Sequence, residues 1–160
     1  MNRNLRFLCR GALVAALYVA LTWLCALVGL DKGVIQMRLS EALCVLPAFT
    51  GAAVPGLFVG CLLANLLTGS ALPDILFGSL ATLIGALGAY LLRRHKWLVP
   101  LPTVLANMLI IPFVLRFAYG AEGSIPYFML TVGAGEVISA YICGMLLYAA
   151  LERRGAQLFK

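Results

Sequence analysis

The side chains of this chain that could do chemistry are few, and most stand singly inside apolar stretches: Arg38, Glu41, Asn65, Asp74, Asn107 and Glu136. They offer carboxylates, a guanidinium and two amides, a set suited to gripping a small polar molecule through charge-assisted and bidentate hydrogen bonds. Catalysis is outside their reach. HExxH and GxSxG are absent, and the lone His95, in a basic loop, leaves the usual nucleophile and base pairings unfilled. No GxxxxGKS/T loop occurs either, so nucleotide-driven work needs a partner. The sequence reads as a protein that is not an enzyme. Cys9, Cys25, Cys44, Cys61 and Cys143 are scattered with no CxxC pair, which predicts free thiols acting as small hydrophobes, with no disulfide and no metal site.

What must position these groups is a membrane bundle. Of the 160 residues, 63% are hydrophobic and only 11% charged, and the mean hydropathy of +1.02 calls for lipid as the solvent. At roughly 20 residues per crossing, the length fits about five to seven helices in a single unit, residues 1–160, with no room for a second domain. The net charge of +6 does not point to nucleic acid, because the basic residues sit in small clusters between apolar runs. Arg3, Arg6 and Arg10 precede an apolar run as they would in a signal peptide. That run continues to Gly29, beyond the roughly 7–15 residues of a signal core, so it is expected to stay as the first span.

The first span is predicted over Arg6 to Gly29, ended by Asp31-Lys32-Gly33. Leu72 to Leu92 forms another, opened by Pro73, followed by Leu98 to Tyr119 and Ile125 to Leu151. The stretch from Arg38 to Gly69 is too long for one crossing and is interrupted by Pro47, Gly51, Pro55 and Gly56. Charge bias resolves it. If Arg3 to Arg10, Arg93 to Lys96 and Arg153 to Lys160 all face the cytoplasm, an even number of crossings precedes Arg93. Two short spans follow, Ser40 to Thr50 and Ala52 to Thr68, the first of them oblique, broken or extended by its flanks. The expected fold is an all-α integral membrane protein, a bundle of six transmembrane helices with both termini cytoplasmic.

In that topology Arg38, Glu41, Asn65 and Asp74 lie at outer helix ends, Asn107 mid-span, and Glu136 about three turns into the last span. The polar groups gather in the outer half, implying a pocket open to the outside. Other roles compete for single residues. Arg38 and Glu41 could form an interfacial ion pair, the two amides could tie helices together, and Asp74 could serve the first turn of its helix. Glu136 has space beside it, left by Gly133 and Gly135. Ala12, Ala16 and Ala20 recur every fourth residue on the first span, a smooth ridge that suits either packing inside the bundle or close approach by another helix.

The stretch QMRLSEALCVLPAFTGAAVPGLFVGCLLANLLTG, from Gln36 to Gly69, and the following ALPDILFGSLATLIGALGAYLLRRHKWLVPLPTVLAN resemble the QueT family. The later VGAGEVISAYICGMLLYAALE extends the likeness, and Gly51 departs from it where Pro is expected after Phe49-Thr50. The resemblance implies a substrate-binding S-component of an energy-coupling factor (ECF) importer, capturing a queuosine precursor from outside. It implies two kinds of partner, a transmembrane coupling subunit and two cytosolic ATPases that use ATP and Mg, with no cofactor in this chain. Ala12, Ala16 and Ala20 would then meet the coupling subunit. For a 7-deazaguanine ligand, Glu136 or Glu41 would accept from the guanine-like edge and Asn107 or Asn65 would read the carbonyl. Asp74 would pair with a cationic aminomethyl group, and Tyr141 or Trp23 would stack on the ring. An S-component for another vitamin, or a structural membrane subunit that binds nothing, are the competing readings.

Overall fold

The computed structural model describes residues 2–29 and 37–158, with side chains up to residue 153. The expected stop at Asp31-Lys32-Gly33, and the basic side chains of Arg154 and Lys160, lie outside that description. Helices account for the regular structure of the described residues: α1 (Arg3–Leu27), a 3₁₀ helix (Leu39–Ala48), α2 (Ala53–Leu67), α3 (Leu72–Leu91), a 3₁₀ turn (Lys96–Leu98), α4 (Leu101–Phe117), α5 (Ile125–Glu136), a π-helical segment (Val137–Cys143) and α6 (Gly144–Leu158). Local signals set the boundaries. Pro73, Pro102 and Pro126 open α3, α4 and α5, where a missing N–H costs nothing. Gly29 and Gly69, at φ of 74° and 72°, end α1 and α2 in the left-handed region that glycine enters without strain.

Four helical stretches are long and apolar enough to cross a membrane: Arg3–Leu27, Leu72–Leu91, Lys96–Phe117 and Ile125–Arg153. Leu39–Ala48 and Ala53–Leu67 are shorter apolar helices. Side-chain size is inverted relative to a water-soluble core. Small residues such as Ala53, Cys61, Ala64 and Ala86 fill the interior, whereas Leu13, Leu63, Ile84, Leu105 and Phe113 point outwards. This is the arrangement for a protein solvated by lipid, where helices associate by close packing of small side chains. With four such stretches, the chain is a multi-pass membrane protein.

Two elements are not regular α-helices. The first short span is a 3₁₀ helix, which rises about 2.0 Å per residue against about 1.5 Å in an α-helix. Its 10 residues therefore reach roughly 20 Å instead of roughly 15 Å. So long a 3₁₀ run is uncommon. Here it is the centre of the bundle, packed by α1, α2, α3, α6 and the π segment, with Ser40, Glu41 and Leu43 to Pro47 all buried. The expected single helix Ile125 to Leu151 is instead divided, since its middle turns are π-helical from Val137, immediately after Glu136. Such insertions are frequent at functional sites.

α1 and α2 meet along a seam with no room for added atoms. A Cβ on Gly56 would lie 2.6 Å from the Gly11 carbonyl oxygen, and one on Gly60 would lie 2.9 Å from Cβ of Tyr18. The seam uses Gly11, Val14, Ala15 and Tyr18 of α1, which leaves Ala12, Ala16 and Ala20 exposed outside it. Packing inside the bundle is thus not what the alanine ridge does.

Candidate substrate-binding site

The 3₁₀ helix, α3, α4 and α5 converge on a small cavity lined by Arg38, Glu41, Gly78, Thr82, Asn107, Ile111, Val132 and Glu136. Its volume of about 20 Å³ is room for about one water molecule. Glu41, Asn65, Asp74, Asn107 and Glu136 are all buried. A larger concavity of about 530 Å³ between α3 and α4 is lined by Pro73, Phe77, Leu109, Ile110, Phe113, Val114, Phe117 and Ala118. That groove offers no side-chain hydrogen-bonding group, so a polar ligand belongs in the smaller, polar cavity.

At one end of the cavity Arg38 is neutralised from the side. Its Nη2 lies 3.5 Å from Oδ2 of Asp74, and its Nη1 donates to Oδ1 of Asn65 at 3.4 Å. The Tyr119 hydroxyl donates to the same Asp74 oxygen at 2.9 Å and accepts from the Ala71 N–H at 3.1 Å. Burial holds the Tyr119 phenol above its ordinary pKa against the opposing pull of the Ala71 N–H, so the group stays a donor. The partner of Arg38 is therefore Asp74 and not Glu41, its neighbour three residues on. Asp74 acts as a counter-ion bolted by Tyr119 to the loop after α4, and does not line the cavity.

Glu41 is held just as firmly. Its Oε1 accepts from the Tyr18 hydroxyl, and its Oε2 accepts from the Cys44 thiol at 3.2 Å. Thr82 donates to the Gly78 carbonyl at 3.1 Å and to the Cys61 sulfur at 3.3 Å. Glu136 differs. It is 8% exposed, its Oε2 has no hydrogen-bond partner, and its near neighbours are the Asn107 amide and the Glu41 and Arg38 charges. Three carboxylates, Glu41, Asp74 and Glu136, thus surround one guanidinium, and Asp74 alone pairs with it. The arrangement suits a ligand that brings N–H donors or positive charge.

Two expected contacts lie elsewhere. The Tyr141 hydroxyl donates to the Trp97 carbonyl at 3.0 Å, at the end of the bundle that carries Lys96, so its ring is not placed to stack on a ligand in the cavity. Trp23 is 57% exposed on α1. Arg116, in the last turn of α4, donates to the Ala121 carbonyl at 3.0 Å and secures the loop after α4. The network also contains groups that polarity in the sequence did not single out: Tyr18, Cys44, Thr82 and Tyr119. Tyr18 was accessible from spacing, because Gly11, Ala15, Tyr18 and Thr22 share one face of α1.

No curated protein and no solved structure matches this chain. A family model described as QueT transporter matches residues 8–153, which takes in every helix that lines the cavity. The chain belongs to the QueT transporter family.

Proposed function

We propose that the chain is the substrate-binding S-component of an ECF importer, one domain of six membrane crossings with both termini in the cytoplasm. Its ligand is a queuosine precursor of the 7-deazaguanine class, captured from outside and delivered inward. The observation that carries this reading is Glu136: a buried carboxylate with an unpartnered oxygen, lining a small polar cavity in a chain of a transporter family. A deazaguanine presents a row of N–H donors to a carboxylate and a carbonyl to an amide, which matches Glu136 beside Asn107. Arg38, Glu41 and Asn65 complete the site as its framework, and Asp74 serves it through Arg38.

A bicyclic base needs several times the roughly 30 Å³ that a water molecule occupies, so the helices around the cavity part when ligand binds. The six crossings comprise the four long apolar helices and the two short ones, Leu39–Ala48 and Ala53–Leu67, which sit side by side in sequence and return the chain to the same side. Arg3, Arg6, Arg10, Arg93, Arg94, Lys96 and Arg153 then share the cytoplasmic face.

The test is thermal shift and titration of the purified chain with deazaguanines, riboflavin and thiamine. Deazaguanines, and neither vitamin, are expected to raise the melting temperature, by an amount that grows with ligand concentration. Stabilisation by an unrelated vitamin alone would make this an S-component of different specificity, and stabilisation by none would favour a structural subunit.

Energy comes from partners, a coupling subunit and two ATPases. The exposed ridge of Ala12, Ala16 and Ala20 is the surface offered to the coupling subunit. Beside it lies an apolar groove of about 220 Å³ lined by Phe7, Leu8, Gly11, Ala12, Ala15, Pro55, Gly56 and Val59. Replacing Ala16 with Leu is expected to reduce co-purification with the coupling subunit while leaving ligand affinity unchanged, since the side chain points away from the cavity. Undiminished co-purification would move the docking surface elsewhere.

A further inference from the structure

The hydrogen-bonding capacity around the cavity is distributed unevenly. On the 3₁₀ helix, both oxygens of Glu41 are engaged, by Tyr18 and Cys44, and at its N-terminus Arg38 is paired with Asp74 and donates to Asn65. On α3, the Thr82 hydroxyl is satisfied within its own helix. The buried side-chain atoms without a partner among the described residues are Glu136 Oε2, Ser139 Oγ and Thr103 Oγ1. All three stand on α4 or on the helix formed by α5 and the π segment. Thr103 is one turn from Asn107 along α4, and Ser139 is one turn from Glu136.

The two hydroxyls belong to one layer. Four elements surround the cavity, each with a residue at its level and another one turn closer to the bundle end that carries Arg93 and Lys96: Glu41 then Cys44, Thr82 then Gly85, Asn107 then Thr103, Glu136 then Ser139. Thr103 touches the Cys44 sulfur, a weak partner that leaves its hydroxyl without a proper hydrogen bond, and a Cβ on Gly85 would sit 2.5 Å from its hydroxyl oxygen. The π segment that carries Ser139 packs against the 3₁₀ helix. Thr103 and Ser139 are 0% and 1% exposed. A desolvated hydroxyl with no partner costs stability, and a native fold keeps such groups where something else uses them.

We propose that the ligand is read by the seam between α4 and the helix running from α5 into the π segment, and that Thr103 and Ser139 are specificity-determining residues one turn deeper than the cavity. The 3₁₀ helix side, whose charged groups already have protein partners, is the fixed wall against which the ligand is held. When the cavity opens to admit a base, the two hydroxyls extend the Glu136 and Asn107 edge into a polar strip long enough for both faces of a hydrogen-bonding ring. This inference rests on the reading of the chain as a receptor for a small polar heterocycle.

The experiment compares the full chain with Thr103→Val, Ser139→Ala and Thr103→Ser, measuring the melting temperature without ligand and the affinity for an aminomethyl 7-deazaguanine. Thr103→Val and Ser139→Ala are expected to melt higher than the parent, because each removes an unpartnered hydroxyl, and to bind about tenfold more weakly. Thr103→Ser, which keeps the hydroxyl, is expected to retain affinity. Parental affinity in both Thr103→Val and Ser139→Ala would overturn the proposal, as would lower melting in both, which marks the hydroxyls as structural. If the parent chain binds no deazaguanine, the substrate assignment fails separately. Melting then decides the seam, with a rise in both variants upholding it and a fall refuting it.

Discussion

Replacing Glu136 with Gln is expected to weaken binding of an aminomethyl 7-deazaguanine by tenfold or more, while the ligand-free protein melts no lower than the parent. The two effects have one origin. Gln keeps the shape and one acceptor but loses the charge, and a charge-assisted bond in a desolvated site contributes about 1.5–3 kcal/mol. The parent meanwhile bears the cost of a buried carboxylate oxygen with no donor, a cost that the amide relieves. Titration calorimetry beside thermal unfolding separates the outcomes. Undiminished affinity would remove Glu136 from the site, and a large fall in melting temperature would make it a structural residue.

The largest expected effect on folding belongs to Asp74. Its exchange for Ala leaves Arg38 without a counter-ion and the Tyr119 hydroxyl without an acceptor, at a position where the side chains are 19% and 6% exposed. Breaking one partner of a buried pair costs about 3–5 kcal/mol. The residual exposure of Arg38 places this case near the lower end. The double replacement Arg38→Met with Asp74→Leu is expected to recover most of the loss, because it removes both desolvated charges together. Thermal unfolding of the three variants in detergent checks this, and a double variant no better than Asp74→Ala would mean that the pair has a role beyond neutralisation. Affinity is expected to fall in Asp74→Ala as well, since Arg38 forms part of the cavity wall.

Much of the architecture was legible because lipid imposes simple rules. The span lengths, the helix opening at Pro73 and the division of residues 38–69 into two short helices all follow from hydropathy, breakers and charge bias. The burial of Glu41, Asn65, Asp74, Asn107 and Glu136 was legible for the same reason, since polar groups in apolar runs have few places to go. Pairing was not. Sequence proximity favours Arg38 with Glu41, but the carboxylate that reaches the guanidinium comes from α3, 36 residues on. Nor does any local signal announce the π segment, because insertion of a turn depends on what packs against it. Tyr141 and Trp23 have the chemistry for stacking, and only the rotation of their helices sends them elsewhere.

The overwinding of the central helix carries a further geometric consequence. With three residues per turn, Glu41, Cys44 and Pro47 stand in a straight file, and Ser40, Leu43 and Leu46 in a second, where an α-helix would step each successive member round by about 60°. The first file carries the Glu41 and Cys44 contact beside the cavity, and the second binds Thr22 through Ser40 and enters the apolar core through Leu43 and Leu46. Losing Ala42, for instance, would swing the rest of the stretch by about 120°, bringing Cys44 and Pro47 into line with Ser40 and turning Leu43 and Leu46 onto the third file. Insertions and deletions should therefore be purged from this stretch even where substitutions are tolerated.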